Sequence, residues 1–318
     1  MLRWAVVSSV LFLSLSGGMT ARAQQRLPDA SQVEIKTQKL TPNVYMLQFV
    51  GPKPGLAGGN VGVFVADDGL VLVDTGYGFM APKLEEALKQ ISDKPVKYVL
   101  NTHWHGDHAG ADAYFGKTAA IVEQDVTGRK MEAGSASGSN VAFVGPIHPS
   151  ITFSDNLTLY FDDQVIRAIH FAHGHTGGDC VFFYPAAKVV QMGDDFVYPE
   201  NPAFIPIDMD RDGSGGVQGA IAAAEYVLAN APDDVKIIPG HGDLATKADL
   251  QKTLTVLKDT SAVIQKGIDQ GKTLDQLRKE GVLAPWAYLD NSGHIKGDFY
   301  FERLYNSLST KAGAPATK

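Results

Sequence analysis

The sequence predicts an α+β fold in which two β-sheets pack face to face with helices outside. Three observations carry that expectation. Short apolar, β-rich runs alternate with helical spacings between residues 33 and 133; a block of strands follows between 151 and 192; and the chain closes on amphipathic helices, with no repeat or low-complexity tract. With 318 residues, 44% hydrophobic and 20% charged, the chain can bury one large core and resembles neither a disordered nor a membrane protein.

Taken in order, residues 24 to 32 are polar, and Val33 to Phe49 reads as strands around the Pro42-Asn43 turn. The glycine-rich stretch Gly51 to Asn60 reads as a mobile loop able to lie over a site. Val61 to Val65 and Leu70 to Val73 are strands joined through Asp67-Asp68-Gly69, a strong hairpin signal. Ala81 to Ile91 has helical spacing, and Val96 to Leu100 is a buried-type strand. A helix near Ala109 to Tyr114, a strand at Ala119 to Val122 and a helix from Gln124 to Ala133 follow, and Gly134 to Pro149 reads as a loop. The strand block comprises Leu157 to Phe161, Val165 to Phe171, Cys180 to Tyr184 and Val189 to Met192. Ile221 to Leu228 is helical, Val235 to Ile238 a strand, and Leu250 to Ile268 a long amphipathic helix, with shorter helices near Leu274 to Glu280 and Phe299 to Leu308.

The first 23 residues have the pattern of an export signal: Arg3, an apolar stretch from Trp4 to Leu15, and Ala21-Arg22-Ala23 before Gln24. That stretch is shorter than the roughly 20 residues that span a bilayer. The expected organisation is therefore a signal peptide over 1–23 and a single catalytic domain over 24–318 with a helical C-terminal extension, located in the periplasm or secreted. Loss of Arg3 and Arg22 leaves 26 basic against 35 acidic residues, a net charge of −9. An acidic surface of this kind disfavours nucleic acid, whose binding rests on Lys and Arg meeting phosphates. The single cysteine, Cys180, excludes an internal disulfide and reads as a small buried strand residue.

The chemistry concentrates in NTHWHGDHAG, residues 101–110, where His103, His105, Asp107 and His108 fall within six positions at a strand end. A lone histidine there would be ordinary loop polarity. Three imidazoles and a carboxylate at this density are a metal site: imidazole suits zinc and similar borderline metals, and the carboxylate adds charge neutralisation. Alternate positions His103 and His105 point the same way from an extended backbone, so Asp107 and His108, past the bend, can face a second position. Three further segments end separate strands: HGHTGGD with His175, MGDD with Asp194, and PGHGD with His241.

The segments THWHGDH, GHTGGD, MGDD and PGHGD, in this order and at these separations, resemble the metallo-β-lactamase superfamily, and VDTG around Asp74 fits its upstream motif. The resemblance covers roughly residues 33 to 243. It implies an αβ/βα four-layer sandwich with a dinuclear centre at one edge of the sheets. It also implies one metal on His103, His105 and His175, a second on Asp107, His108 and His241, and Asp194 between them. Two zinc ions are the expected cofactor, with iron or manganese as alternatives. Asp74 is expected to orient the ligand loop by hydrogen bonds. His148, His170, His173 and His294 match no ligand position.

The activity that this resemblance implies is hydrolysis by a hydroxide shared between two ions, with Asp107 orienting it or taking its proton. The expected target is an ester, lactone or amide-type bond in a small substrate, with no membrane or nucleic-acid partner. The metal site alone does not select the substrate. Many zinc β-lactamases carry Cys where this chain has Asp194 and Lys where it has Val197, so β-lactam hydrolysis stands as an alternative. Tyr198 is an inexact match to a tyrosine of the lactonases, and Phe49, Phe196, Tyr198 and Phe204 are candidate pocket aromatics. Iron-dependent redox chemistry and a non-catalytic metal-binding module are the readings from other classes.

Overall fold

Strands that are apolar on both faces must be covered on both faces, so this sequence calls for two sheets and two outer layers of helix. The computed structural model describes residues 29–52, 57–134, 146–161, 164–198, 207, 213–292 and 297–309. The expected export signal, most of the 134–149 loop, Phe204 and His294 lie outside the described residues.

The first sheet has seven strands in chain order: β1 (Glu34–Lys39), β2 (Val44–Val50), β3 (Val61–Val65), β4 (Leu70–Val73), β5 (Val96–Leu100), β6 (Ala120–Gln124) and β7 (Ile151–Phe153). β1 to β4 are antiparallel and β4 to β7 parallel. Parallel neighbours need crossovers. These carry α1 (Ala81–Lys89), the short α2 (Gly106–Ala109) and α3 (Asp112–Phe115), and α4 (Asp125–Glu132). The second sheet contains β8 (Asn156–Phe161), β9 (Gln164–His170), β10 (Cys180–Tyr184), β11 (Val189–Gln191), β12 (Lys236–Ile238) and β13 (Ala245–Thr246). Its spatial order is β13-β12-β11-β10-β9-β8, antiparallel apart from the β11–β12 pair. α5 (Val217–Asn230) and the capped α6 (Lys247–Asp269) cover its outer face, and α7 (Leu274–Glu280) and α8 (Gly297–Ser309) complete the chain.

Three apolar layers hold the sandwich. Val44, Met46, Phe64, Val71 and Val73 of the first sheet meet Ile166, Ala168, Phe182 and Tyr184 of the second. Val63, Leu70 and Leu72 face Leu84 and Leu88 of α1 on one outside, while Val181, Val190 and Ile237 face Ala223, Val227, Leu250 and Leu254 on the other. Leu257 and Ile264 of α6 pack with Leu277 of α7 and with Tyr300, Phe301 and Leu304 of α8. Among the described residues no helix is long and apolar enough to cross a membrane.

Where one helix was expected near 109–114, the backbone breaks into α2 and α3. The Ala111 amide donates to the Gly76 carbonyl at 3.0 Å, outside any helical ladder, and so ties the His-rich loop to the end of β4. The two-residue β13 and three-residue β7 are too short to show a period of their own.

Candidate metal centre

All the candidate ligands sit where chain leaves strands on one edge of the sandwich. His103, His105, Asp107 and His108 follow β5, His175 lies between β9 and β10, Asp194 follows β11 and His241 follows β12. The structure brings the seven together. Donor atoms of His103, His105 and His175 converge in one group, those of Asp107, His108 and His241 in another, and those of His103, His108 and Asp194 in a third between them.

Asp194 faces both outer groups. Its Oδ2 lies 3.4 Å from His175 Nε2, and its Oδ1 lies 3.3 Å from His108 Nε2 and 3.5 Å from His241 Nε2. His241 Nε2 is also 3.3 Å from Asp107 Oδ2. Gly240 makes this crowding possible, since a Cβ there would stand 1.9 Å from Asp194 Oδ1.

Hydrogen bonds behind the imidazoles decide which nitrogen faces forward. The Thr102 hydroxyl donates to Asp74, so at its 3.1 Å contact with His103 it accepts from Nδ1–H and leaves Nε2 as the lone pair. Asp74 Oδ2 accepts from His108 Nδ1 at 3.0 Å with the same result. Asp74 adopts a left-handed φ of 67°, a conformation that costs a non-glycine residue about 1 kcal/mol or more. Its bonds to the Thr102 amide, the Thr102 hydroxyl, His108 and Gln191 Nε2 hold it there. The orienting role expected for Asp74 is thus visible in its contacts.

Two observations test whether these residues suit a cation. His103 Nε2 is buried with no hydrogen-bond partner among the described residues. His175 Nε2 and His105 Nδ1 are 2.8 Å apart, a spacing that two nitrogen lone pairs sustain only with a proton or cation to share. Five imidazoles and two carboxylates form a donor set that fits divalent, borderline metals.

The electrostatics divide accordingly. Burial, and then the neighbouring His108, His105 and His175, hold His103 well below the usual imidazole range. Burial resists ionisation of Asp194, yet His241, His108 and His175 hold its carboxyl well below the carboxylate range. Burial likewise opposes the charge on His241, but Asp194 and Asp107 lift it to about 9. Behind this front lie acids of opposite character. Burial pushes Asp112 up to about 8 and, with Asp112 beside it, Glu123 well above its range; Asn101 Nδ2 donates to both. Burial and the adjacent Asp194 push Asp195 up to about 7, and burial and Asp195 raise Asp179.

Several supporting residues carried no motif in the sequence. Asn60, Asn101, Glu123 and Gln191 are fully buried polar side chains. The available signal was a polar residue inside an apolar strand run, as in AIVEQ and VVQM. Of the four candidate pocket aromatics, Phe204 lies outside the described residues and Phe196 does not face the centre. Phe196 is wholly buried behind the second sheet and Phe49 packs against Gly58 and Gly76. Burial and the charge of nearby Asp249 raise the pKa of the Tyr198 hydroxyl. The aromatic under the influence of Asp107 and Asp194 is Tyr77, whose pKa burial and those two charges raise, and which stacks on the more exposed Phe79. Among the other histidines, His170 contacts the Gly177 carbonyl, His148 is exposed near Glu132, and His173 is exposed with a φ of 63°.

The sequence profile of the family described as the metallo-beta-lactamase superfamily matches residues 54–241. Among characterised proteins, an atrochrysone carboxyl ACP thioesterase from Claviceps purpurea is 25% identical over 176 residues, 54% of this chain and 49% of that protein. The chain thus spans about half the length of this relative. Among solved structures, a metallo-beta-lactamase from Pontibacter korlensis superposes with a TM-score of 0.57 at 21% identity, covering 71% of this chain and 99% of that one. The DIM-1 metallo-beta-lactamase gives 0.57 at 18%, again covering 71% and 99%. At these identities the likeness is one of fold, and that fold is the αβ/βα sandwich described above.

Proposed function

The chain belongs to the metallo-beta-lactamase superfamily, and from that membership and the geometry of its strand-end cluster we propose that it is a dinuclear zinc hydrolase acting on an ester, lactone or amide-type acyl bond of a small substrate. The observation that carries this reading is Asp194, whose two oxygens face the two outer groups of donors. His103, His105 and His175 would hold one ion, Asp107, His108 and His241 the other, with Asp194 shared.

Two divalent ions so held supply Lewis acidity and a hydroxide nucleophile at neutral pH. The protein's own contribution is access, orientation and proton handling. Asp107 and His241 are each 14% exposed at the side chain, against 0% for His108 and 2% for His175, so substrate approaches over Asp107 and His241. Asp107, held anionic by His108 and His241 against the cost of burial, orients the attacking oxygen or takes its proton. Buried Tyr77, which feels the charges of Asp107 and Asp194, stacks on the more exposed Phe79.

The Claviceps relative is named as a thioesterase, which favours including thioesters, another carbonyl-centred class, among the substrates. Export to the periplasm, proposed from residues 1–23, places the enzyme outside the pool of cytosolic thioesters and favours oxygen esters and lactones. The test is a panel of a chromogenic ester, a lactone, an acyl thioester and a cephalosporin, assayed with elemental analysis. Hydrolysis should vanish on chelation, return with zinc, and fall with metal content in His103→Ala and Asp107→Ala. Full activity in folded, metal-free protein would overturn the reading, and iron in place of zinc would favour redox chemistry.

A further inference from the structure

The proposed second subsite, Asp107, His108 and His241, is assembled from two loops that are distant in sequence, and a two-residue segment spans them. The Gly59 amide donates to the Asp107 carbonyl at 2.9 Å. Gly59 also lies flat against the His108 ring, where a Cβ would come within 2.3 Å of Cε1. One residue on, the Asn60 amide donates to the Gly240 carbonyl at 2.7 Å. The Asn60 side chain, 1% exposed, spends both Nδ2 hydrogens on the same loop, reaching the Pro239 carbonyl at 2.9 Å and the Gly242 carbonyl at 3.0 Å.

Those three carbonyls bracket His241. The 193–198 segment holds the other side of the loop, through the Gly240 and Tyr198 amides, and Gln48 Nε2 reaches Asp243 at 3.0 Å, so the Gly59-Asn60 clamp is what sets the His241 loop against Asp107 and His108. The Asn60 carbonyl in turn accepts from Gln191 Nε2, which also reaches Asp74 Oδ2, the group that fixes His108. None of the Gly59 and Asn60 bonds ends on His103, His105 or His175; the link to His103 is indirect, through Asp74 and the Thr102 hydroxyl.

We propose that Gly59-Asn60 is the positioning element of the second metal subsite alone, setting Asp107 and His108 against His241 without contributing a ligand. The inference rests on the two-ion reading of the centre. Carbonyls can be gathered only by a donor, so Asn60→Asp, which keeps the shape but replaces the amide by an acceptor, separates hydrogen bonding from packing.

The experiment dialyses the mature protein against buffered zinc, measures ions bound per chain, and repeats with cobalt to read its visible absorption. Wild type should bind two ions. Asn60→Ala and Asn60→Asp should keep the first and bind the second at least ~10-fold more weakly, the range typical for groups that orient ligands. Their cobalt spectra should match wild type at one equivalent and diverge at two. Amide hydrogen exchange of Gly59, Asn60 and Gly240 in wild type supplies a second readout, and it should slow between the first and second equivalents. Parallel loss of both ions, unchanged affinity for both, or exchange indifferent to the second ion overturns the inference. Wild type binding no ion at all overturns the reading beneath it as well.

Discussion

The centre and the layer behind it are built from the same side chains and give them opposite protonation. Asp107 and Asp194 look onto imidazoles and are held ionised, whereas Asp112 and Glu123 look onto each other across Asn101 and are pushed towards the neutral acid. Burial opposes charge in both places, although Asp107 keeps 14% of its side chain exposed. What differs is the partner: four of the five candidate histidines stand within reach of the front carboxylates, while among the described residues the rear pair is met by the Asn101 amide and the Thr75 hydroxyl. Anionic acids in front can receive cations; neutral ones behind act as hydrogen-bonding struts that add no competing negative charge.

The sharpest way to break this comparison is to remove the front charge while keeping its shape. Asp194→Asn retains the volume facing His108, His175 and His241 but lacks the charge shared by both donor groups. Hydrolysis should fall by more than ~100-fold, and bound metal should fall with it. Elemental analysis beside initial rates checks this; retention of both ions would show that charge at Asp194 is not what makes the front different.

Much of the front was legible in the sequence because its ligands sit in strand-end motifs dense enough to stand out from ordinary loop polarity. His103 through His108 is the clearest case. The rear was not legible, because Asp112 and Glu123 are eleven residues apart in sequence and meet only through the side chain of Asn101, a contact that β5, β6 and α3 create together. Asn60 was hidden for the same reason, as its partners lie about 180 residues away. Strand and helix periods located the sheets and the long helices within a few residues. They did not reveal that Phe196 faces the core while the chain around it turns towards the site, since side-chain direction after a strand end depends on a turn no period encodes.

The rear acids offer a smaller test with a definite sign. Asp112 has a folded pKa of about 8, above its ordinary 3.8. Its contribution to stability is therefore complete below about pH 4 and drains away as pH rises towards 8, because the unfolded chain releases the proton first. The loss approaches about 1.4 kcal/mol per pH unit within that window. Asp112→Asn, unable to titrate, should show a flatter dependence of unfolding free energy on pH between 4 and 8, gaining on wild type as pH rises. Denaturant melts at several pH values check it, and identical slopes in the two proteins would mean that Asp112 is ionised behind the centre as Asp194 is in front.

The smallest expected effect falls on Tyr198, four residues beyond Asp194, where the sequence suggested a hydroxyl serving a lactone substrate. Its backbone belongs to the front, since its amide donates to the His241 carbonyl at 3.1 Å and its carbonyl accepts from the Asp243 amide. Its hydroxyl lies instead under the influence of Asp249 in the first turn of α6. Tyr198→Phe keeps the backbone pairing and the ring, so rates on esters and lactones should change by less than about two-fold, in line with the roughly 0.5 kcal/mol typical of a change away from working groups. A loss confined to lactones, with ester hydrolysis intact, would move this hydroxyl into the site and redraw the boundary between front and support.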